Sequence, residues 1–324
     1  MTSRRRAIEV MSLLLLIPFV TMAQQQLKVW RIGYLDPRTK EASTEYYASF
    51  ISRMRELGYV EGKNLMVDWR LADGSRERMR GIAAEFARAG VDVILTDSTP
   101  AVRAATQATK EIPIVVAAIS DPVALGFAKS FARPGGNVTG FSNMSEELIA
   151  KRLEILVEIA PSARRIAFLA NSPNEVGLLN LQAAGKKMGR TITLVKAETQ
   201  QEIETAFARI RREKMDALII NQDGFLSAHA SHVSGFALRH RLPSIGGRRQ
   251  IAEAGALVTY GVDYVEMFRR AANFVDKIIK GAKPGDVPIE QPTKFEMVVN
   301  LKTAKALGIT LPPTVMVRAT KVIE

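Results

Sequence analysis

Short polar side chains stand beside a proline at three places in the sequence, each time after an apolar run that predicts a buried strand. Hydroxyl and amide groups can hydrogen-bond a small ligand, and proline is favoured in the first turn of a helix. The free N–H groups of that turn and the helix dipole favour an anion such as a carboxylate. The side chains that this pattern selects are Ser98, Thr99, Ser120, Asp121, Asn171 and Asn174.

These loops also have a plainer interpretation, in which the polar side chains only cap helices. One such loop alone is better explained in that way. Three of them, spread over both halves of the chain, favour a binding cleft, because ligands of open parallel sheets bind outside the carboxyl ends of the strands.

Acidic and aromatic residues at strand ends offer further ligand contacts. Asp36, Asp121 and Asp223 each follow a predicted strand and are candidate partners for a ligand amine, although each could also be a solvated or capping carboxylate. Phe141 and Tyr260 fall where the chain is expected to cross between two halves. Either aromatic side chain could pack on a ligand ring or fill a hinge.

Residue patterns typical of catalysis or metal binding are missing from the sequence. There is no cysteine, and the three histidines all lie between positions 229 and 240. Two imidazoles at His229 and His232 make a poor metal site without a third ligand. No G-x-S-x-G or H-E-x-x-H motif occurs, and the segment Gly58 to Asn64 lacks the Ser/Thr of a phosphate-binding loop. We therefore predict a protein that is not an enzyme and needs no metal or cofactor.

The elements that must position these residues alternate between strand and helix, which predicts parallel sheets covered on both faces. A Pro/Gly break at positions 133–137 separates two similar runs of this alternation. We therefore predict an α/β fold with two Rossmann-like lobes joined by several hinge crossovers. The expected ranges are 24–140 plus about 262–290 for the first lobe, and 141–261 plus about 291–324 for the second.

The first residues are typical of an export signal. Arg4 to Arg6 precede an apolar stretch from Met11 to Val20, and Thr21-Met22-Ala23 suits a cleavage site. A signal peptide over residues 1–23 predicts a periplasmic protein, with an N-terminal membrane anchor as the lesser possibility. The net charge of +12 is spread along the chain rather than gathered in a tract, so a nucleic-acid partner is not predicted. An anionic ligand or a membrane surface stays possible.

Several segments together resemble the ABC transporter substrate-binding proteins of the tryptophan/tyrosine type, which have the type I periplasmic-binding fold. They are RIGYL (31–35), LGYVEGKN (57–64), ARPGGNVTGF (132–141), KIIKGAKP (277–284) and PIEQPTKFEMVVNLKTAKALG (288–308). The resemblance implies a monomer that closes on a small solute, an amino acid or small carboxylate, and then docks on a permease with its ATPase subunit. Segments that match the cleft-lining segments of the family are Asp97 to Pro100, Ser120 to Pro122, Phe141-Ser142, Asn171 to Asn174, Asp223 and Tyr260-Gly261.

One segment departs from the family pattern. After Ile245 the family usually has aromatic residues, whereas this chain has Gly-Gly-Arg-Arg-Gln at positions 246–250. The departure weakens the case for an aromatic amino acid, and Arg248 and Arg249 would suit a more anionic solute.

Three other classes of protein are alternatives to a solute receptor. A transcription regulator of related fold would need an N-terminal helix-turn-helix, but the leader occupies that place. A two-lobed enzyme such as a glycosyltransferase would need a nucleotide site, and the glycine fingerprint is absent. A solute-sensing subunit of a membrane kinase stays open as an alternative.

Overall fold

A computed structural model describes residues 28–171 and 175–324 of the chain. Its first half contains a parallel sheet of five strands in the order β2-β1-β3-β4-β5. Helices α1 and α10 pack on one face of this sheet, and α2 and α3 pack on the other. The bounds are β1 Trp30–Asp36, α1 Lys40–Glu56, β2 Leu65–Leu71, α2 Arg76–Ala89, β3 Val93–Thr96, α3 Thr99–Ala108, β4 Ile114–Ile119, β5 Val138–Ser142 and α10 Tyr264–Ile279.

The second half contains a sheet of seven strands in the order β12-β11-β10-β9-β8-β6-β7, in which only the pair β10–β11 is antiparallel. Helices cover both of its faces. The bounds are α4 Ser145–Ile159, β6 Arg165–Ala170, α5 Glu175–Lys187, β7 Thr191–Lys196, α6 Gln200–Arg212, β8 Ala217–Ile220, α7 Gly224–Ala228, α8 Ala230–Arg239, β9 Ser244–Gly246, α9 Arg249–Glu253, β10 Val258–Val262, β11 Phe295–Asn300, α11 Leu301–Leu307, α12 Pro313–Arg318 and β12 Lys321–Ile323.

Burial explains why these segments are strands and helices. Strands β3, β4 and β8 are short apolar runs that are buried along their whole length, as expected for parallel strands with both faces covered. Helix α2 begins where the Ser75 side chain accepts a hydrogen bond from the backbone N–H of Arg78, and it ends at Gly90 in the left-handed region. Polar loops at the strand ends are thereby held by two rigid sheets.

Within the described residues the chain passes between the two sheets at three places: after β5, after β10, and between Glu290 and Phe295. Glu290 exchanges backbone hydrogen bonds of 2.9 Å with Gly140 and Ser142 at the edge of the first sheet. Strand β5 runs to Ser142, which places Phe141 and Ser142 in the first sheet rather than beyond the expected boundary at position 140. Three adjacent connections are the arrangement expected of a hinge.

One predicted helix differs from the structure. The sequence predicts a single helix over 227–239, but α7 and α8 are separate and break at His229. The imidazole Nδ1 of His229 lies 2.9 Å from the Phe225 carbonyl oxygen, and its backbone N–H donates to the same carbonyl at 3.1 Å. These contacts end the first helix, so α7 is a short helix placed directly after the polar end of β8.

Candidate ligand-binding cleft

A cavity of about 540 Å³ lies between the two sheets, a volume within the usual range for small-molecule sites. Its walls come from both halves of the molecule. The first half contributes the loops after β3 and β4 and one face each of α2 and α3, and the second half contributes α4, the start of α5, the ends of β6 and β8, and Arg248. Of the residues selected from the sequence, those that line the cavity are Ser98, Thr99, Ser120, Asn171 and Asp223.

Ser98 opens helix α3 on the floor of the cavity. Its backbone has φ 73° and ψ 146°, a region that side-chain-bearing residues avoid, so the residue is held under strain. Its N–H donates to the Ala118 carbonyl at 2.9 Å, and its Oγ is buried without a hydrogen-bond partner among the described residues. Thr99 and Pro100 follow in the first turn. Strain and an unpartnered hydroxyl at one residue are typical of a binding site rather than of a helix cap.

Of the predicted site residues in and beside the loop after β4, only one lines the cavity. The Ser120 residue lines the cavity, and its carbonyl accepts a 2.6 Å hydrogen bond from the Oγ of Ser142, which itself does not line it. The Asp121 carboxylate accepts hydrogen bonds from the backbone N–H groups of Val123 and Ala124, at 2.9 and 3.0 Å. Asp121 also lies outside the lining, so it caps a turn.

The second half meets the first at Asn171. Its Oδ1 accepts a 3.0 Å hydrogen bond from a guanidinium nitrogen of Arg76, which joins the two halves across the cavity. Its N–H lies 3.3 Å from Asp223 Oδ2, and Asp223 Oδ1 caps α7 by accepting from the Leu226 N–H at 2.7 Å. Burial raises the pKa of Asp223 to about 6, against the lowering effect of these hydrogen bonds. Asn174 lies outside the described residues.

At the cavity floor, two carboxylates and two guanidinium groups form a buried quartet. Arg38 contacts Asp36 at 3.0 Å and Asp97 at 2.6 Å, and Arg248 reaches Asp97 from the second half at 3.2 Å. Burial opposes ionisation of Asp97, but the two guanidinium groups outweigh it and lower the pKa of Asp97. The Arg248 guanidinium also lies 3.8 Å from the centroid of the Tyr264 ring. Asp36 is therefore occupied by Arg38 and does not line the cavity, contrary to its predicted role as an amine partner.

A second buried network supports the wall beside Asp223. The side-chain oxygen of Gln222 accepts a hydrogen bond from Arg152, and its nitrogen donates to the hydroxyl of Tyr264. The Nε of Arg152 donates to the Tyr260 carbonyl at 2.7 Å. Within the described chain Arg152 has no carboxylate partner, and burial lowers the pKa of its guanidinium to about 10. The network fixes the orientation of Gln222, which lines the cavity.

The two predicted aromatic residues lie beside the crossovers rather than in the cavity. Phe141 is fully buried and packs edge-on against Phe274 with ring centroids 4.9 Å apart. Tyr260 packs against Phe295 and borders the cores of both halves. The hinge interpretation of these two residues agrees with their positions, and neither contacts the cavity.

Comparison with known proteins identifies the family to which this chain belongs. The sequence profile described as ABC transporter substrate binding protein matches residues 37–323. This chain belongs to that family. The family binds solutes and does not catalyse a reaction, and substrate-binding proteins of ABC transporters act outside the cytoplasm. The predicted family, fold class and non-enzymatic role are confirmed.

Similar proteins extend this result. A tyrosine-binding protein of Clostridioides difficile is 30% identical over 263 residues, covering 80% of this chain and 75% of the relative. A Streptococcus pneumoniae ABC domain in complex with L-Trp has a TM-score of 0.84 at 24% identity, and a conserved domain protein from Vibrio cholerae has 0.85 at 29% identity; both alignments cover 91% of this chain and 100% of the other. A ligand-free, open substrate-binding protein with adhesive properties from Clostridium difficile gives 0.65 at 28% identity, covering 91% and 99%.

The substrate-binding protein has cavity residues that the strand-end pattern missed. Arg76 and Arg80 lie one turn apart on α2, and Arg103 and Gln107 continue the line of Thr99 along α3. Spacing of four residues places side chains on one helix face, so this signal was present in the sequence. Asn221 and Gln222 directly precede Asp223 and also line the cavity.

The two neighbouring arginines of the departing segment go to different places. Arg248 lines the cavity, but its charge is matched by Asp97. Arg249 lies outside the cavity and pairs with Glu45, Glu253 and Glu296. The interpretation that these two arginines suit a more anionic solute therefore gains no support from Arg249, which pairs with three glutamates outside the cavity.

No helix within residues 28–171 and 175–324 is long and apolar enough to cross a membrane. No group of three or more His, Asp or Glu side chains in that part of the chain could hold a metal ion.

Proposed function

We propose that this protein is the solute receptor of an ABC importer, which closes on an amino acid or small carboxylate and delivers it to a permease and its ATPase subunit. The observation that carries the proposal is a cavity of about 540 Å³ whose walls come from both halves and meet at the hydrogen bond between Arg76 and Asn171. A ligand that contacts both walls stabilises only the closed arrangement and so shifts the population toward it.

Under this proposal the chain forms two lobes, with the first boundary moved to Ser142, where β5 ends. The first lobe covers 24–142 plus about 262–290, and the second covers 143–261 plus about 291–324. Three neighbouring connections would let them rotate about the region of Phe141 and Tyr260. The lower TM-score to a relative in an open form, compared with another at similar identity, is consistent with such rotation. We further propose that residues 1–23 direct export to the periplasm and that the receptor acts as a monomer.

The cavity offers complementary groups for an amino acid. A ligand carboxylate would lie at the start of α3, where Ser98 Oγ lacks a partner and the helix dipole favours an anion. A ligand amine would pair with Asp223, whose carboxylate lines the opposite wall. The tyrosine-binding relative and the L-Trp complex support the amino-acid class in general.

A binding screen tests the proposal directly. The chain without residues 1–23 would be screened against amino acids and small carboxylates by thermal shift, and ligands found would be measured by isothermal titration calorimetry. A ligand of the folded state raises the melting temperature by mass action. We expect Ser98→Ala and Asn171→Ala to weaken binding about tenfold or more.

Matched controls come from the same loops. Asp121→Asn and Ser142→Ala alter polar residues that lie outside the cavity, and both should bind as the unmodified protein does. Equal affinity of all four variants would exclude this cavity as the site. Cell fractionation tests export, because an uncleaved protein in the cytoplasm contradicts the proposed location.

A further inference from the structure

We propose that the solute is an acid with two anionic groups, one at the start of α3 and the second against an arginine wall formed by Arg76, Arg80 and Arg103. This inference rests on the proposed function, and it narrows the ligand of the same cavity.

The arginine wall carries charge that the protein does not neutralise. All three side chains line the cavity from the first half, and all three are exposed. Within the described residues none of them forms an ion pair, although arginines nearby on the same helix and strand do, such as Arg78 with Asp73 and Arg70 with Asp68. Guanidinium groups are suited to planar bidentate recognition of carboxylates.

Helical spacing gathers these charges on one side of the cavity. Arg76 and Arg80 lie one turn apart on α2, and Arg103 lies one turn from Thr99 on α3, which packs against α2. The α3 line therefore connects the place of the first anionic group, at Thr99, with the arginine wall. One ligand that spans this line contacts both.

The groups at the cavity floor do not neutralise the positive charge of the arginine wall. Arg248 is the fourth arginine of the lining, but its ion pair with Asp97 makes its contribution part of the neutral quartet. Asp223 is the one carboxylate that lines the cavity in the described chain. The cavity is thus cationic on the wall of the first half and needs a second negative charge from the ligand.

The opposite wall offers little to an aromatic ring. Its apolar side chains are Ile149, Phe168 and Leu178, and its polar ones are Asn171, Asn221, Gln222, Asp223 and the paired Arg248. Phe168 is the only aromatic residue among the described residues that line the cavity. The cavity therefore lacks the stacked aromatic side chains that would favour tyrosine or tryptophan over an aliphatic diacid.

Calorimetry with three matched solutes tests the charge requirement. Glutamate, glutarate and glutamine have similar size but differ in the second carboxylate and in the amine. We expect at least one of the two diacids to bind about tenfold or more tighter than glutamine and tyrosine, because a lost charged hydrogen bond costs about that much. An affinity for glutamine or tyrosine equal to that for both diacids would overturn the inference.

Variants of the wall locate the second charge. Arg80→Gln and Arg103→Gln should each weaken the tighter diacid about tenfold, while a monocarboxylate of the same length changes less than about twofold. Arg78→Gln, on the same helix but outside the cavity, should leave both unchanged. Equal losses for the diacid and the monocarboxylate would overturn the inference, since the arginines would then only support the fold or the closed form.

Asp223→Asn separates the two kinds of diacid. Weaker glutamate binding with unchanged glutarate binding identifies an acidic amino acid with its ammonium on Asp223. Unchanged binding of both diacids identifies a dicarboxylic acid whose amine, if any, does not contact Asp223, and either result supports the inference. Failure of the inference is distinct from failure of the proposed function. A neutral amino acid that binds tightly and depends on Ser98 overturns only the former, whereas a receptor that binds no solute from any class overturns both.

Discussion

Neutralising Asp97 should leave two guanidinium groups buried beside one carboxylate. Charges about 4 Å apart attract by about 4 kcal/mol at an effective dielectric constant of about 20, and Asp97 contacts both Arg38 and Arg248. Part of this attraction offsets the cost of desolvating the carboxylate. We therefore expect Asp97→Asn, which preserves the side-chain shape, to lower the free energy of unfolding by about 3–5 kcal/mol.

A double-mutant cycle separates the charge effect from simple loss of packing. Arg248→Met should also destabilise the protein, because Asp36 and Asp97 are then left with Arg38 alone. The double variant restores a neutral pair of Asp36 and Arg38. It should therefore cost at least about 2 kcal/mol less than the sum of the two single changes.

Urea titration followed by circular dichroism, with calorimetry for the melting temperature, measures the cycle. For a chain of this size Asp97→Asn should lower the melting temperature by roughly 6–10 °C. Asp68→Asn, at an exposed ion pair with Arg70, is the control and should change the unfolding free energy by less than about 1 kcal/mol. Additive single changes, or an Asp97→Asn cost as small as that of the control, would refute the argument from buried charge.

Three further changes test strain and burial. The folded-state pKa of Asp223 is raised to about 6, so ionisation of this carboxyl increasingly destabilises the fold as the pH rises from about 4 to 6. Asp223→Asn removes the ionisation and should therefore raise the free energy of unfolding by about 2 kcal/mol at pH 7. Urea titrations at pH 7 and pH 4 measure this, and an equal gain at pH 4 would contradict the prediction. Ser98→Gly should raise the unfolding free energy by about 1 kcal/mol because glycine tolerates the positive φ, and a Gly variant less stable than Ser98→Ala would contradict the strain. Gly261→Ala would place its Cβ 1.9 Å from the Gly247 carbonyl oxygen and should cost about 3 kcal/mol or more, whereas Gly81→Ala meets no atom within 4 Å and should be tolerated in the same thermal assay.

The cavity residues that follow strands could be predicted from the sequence because the geometry of a parallel sheet determines where they lie. The carboxyl ends of parallel strands share an edge of the sheet, so Ser98, Ser120, Asn171 and Asp223 converge wherever the strands are correctly placed. Asp36 also lies at the carboxyl end of a strand, but it does not line the cavity. Its carboxylate forms an ion pair with the guanidinium of Arg38, and this pairing depends on how the side chains pack.

Residues outside the loops were harder to predict. The arginine wall becomes part of the cavity only when two helices of the first half face the second sheet, which local periodicity does not specify. Arg248 and Arg249 differ by one position, yet one is buried and the other faces three glutamates. The short helices α7 and α9 have five residues each, too few for a helical period to be recognised.

Because the arginines without ion pairs lie on one wall only, the association rate and the dissociation rate of a solute depend on different parts of the cavity. Attraction to Arg80 and Arg103 extends over about 10 Å at 0.1 M ionic strength, so an anion is drawn to the first half before it touches the second. The wall of the second half carries the Asp223 carboxylate and an Arg248 whose charge is already paired, so it attracts an anion less and covers a solute that is already bound. We expect added salt to slow association markedly while the dissociation rate, governed by reopening, changes little.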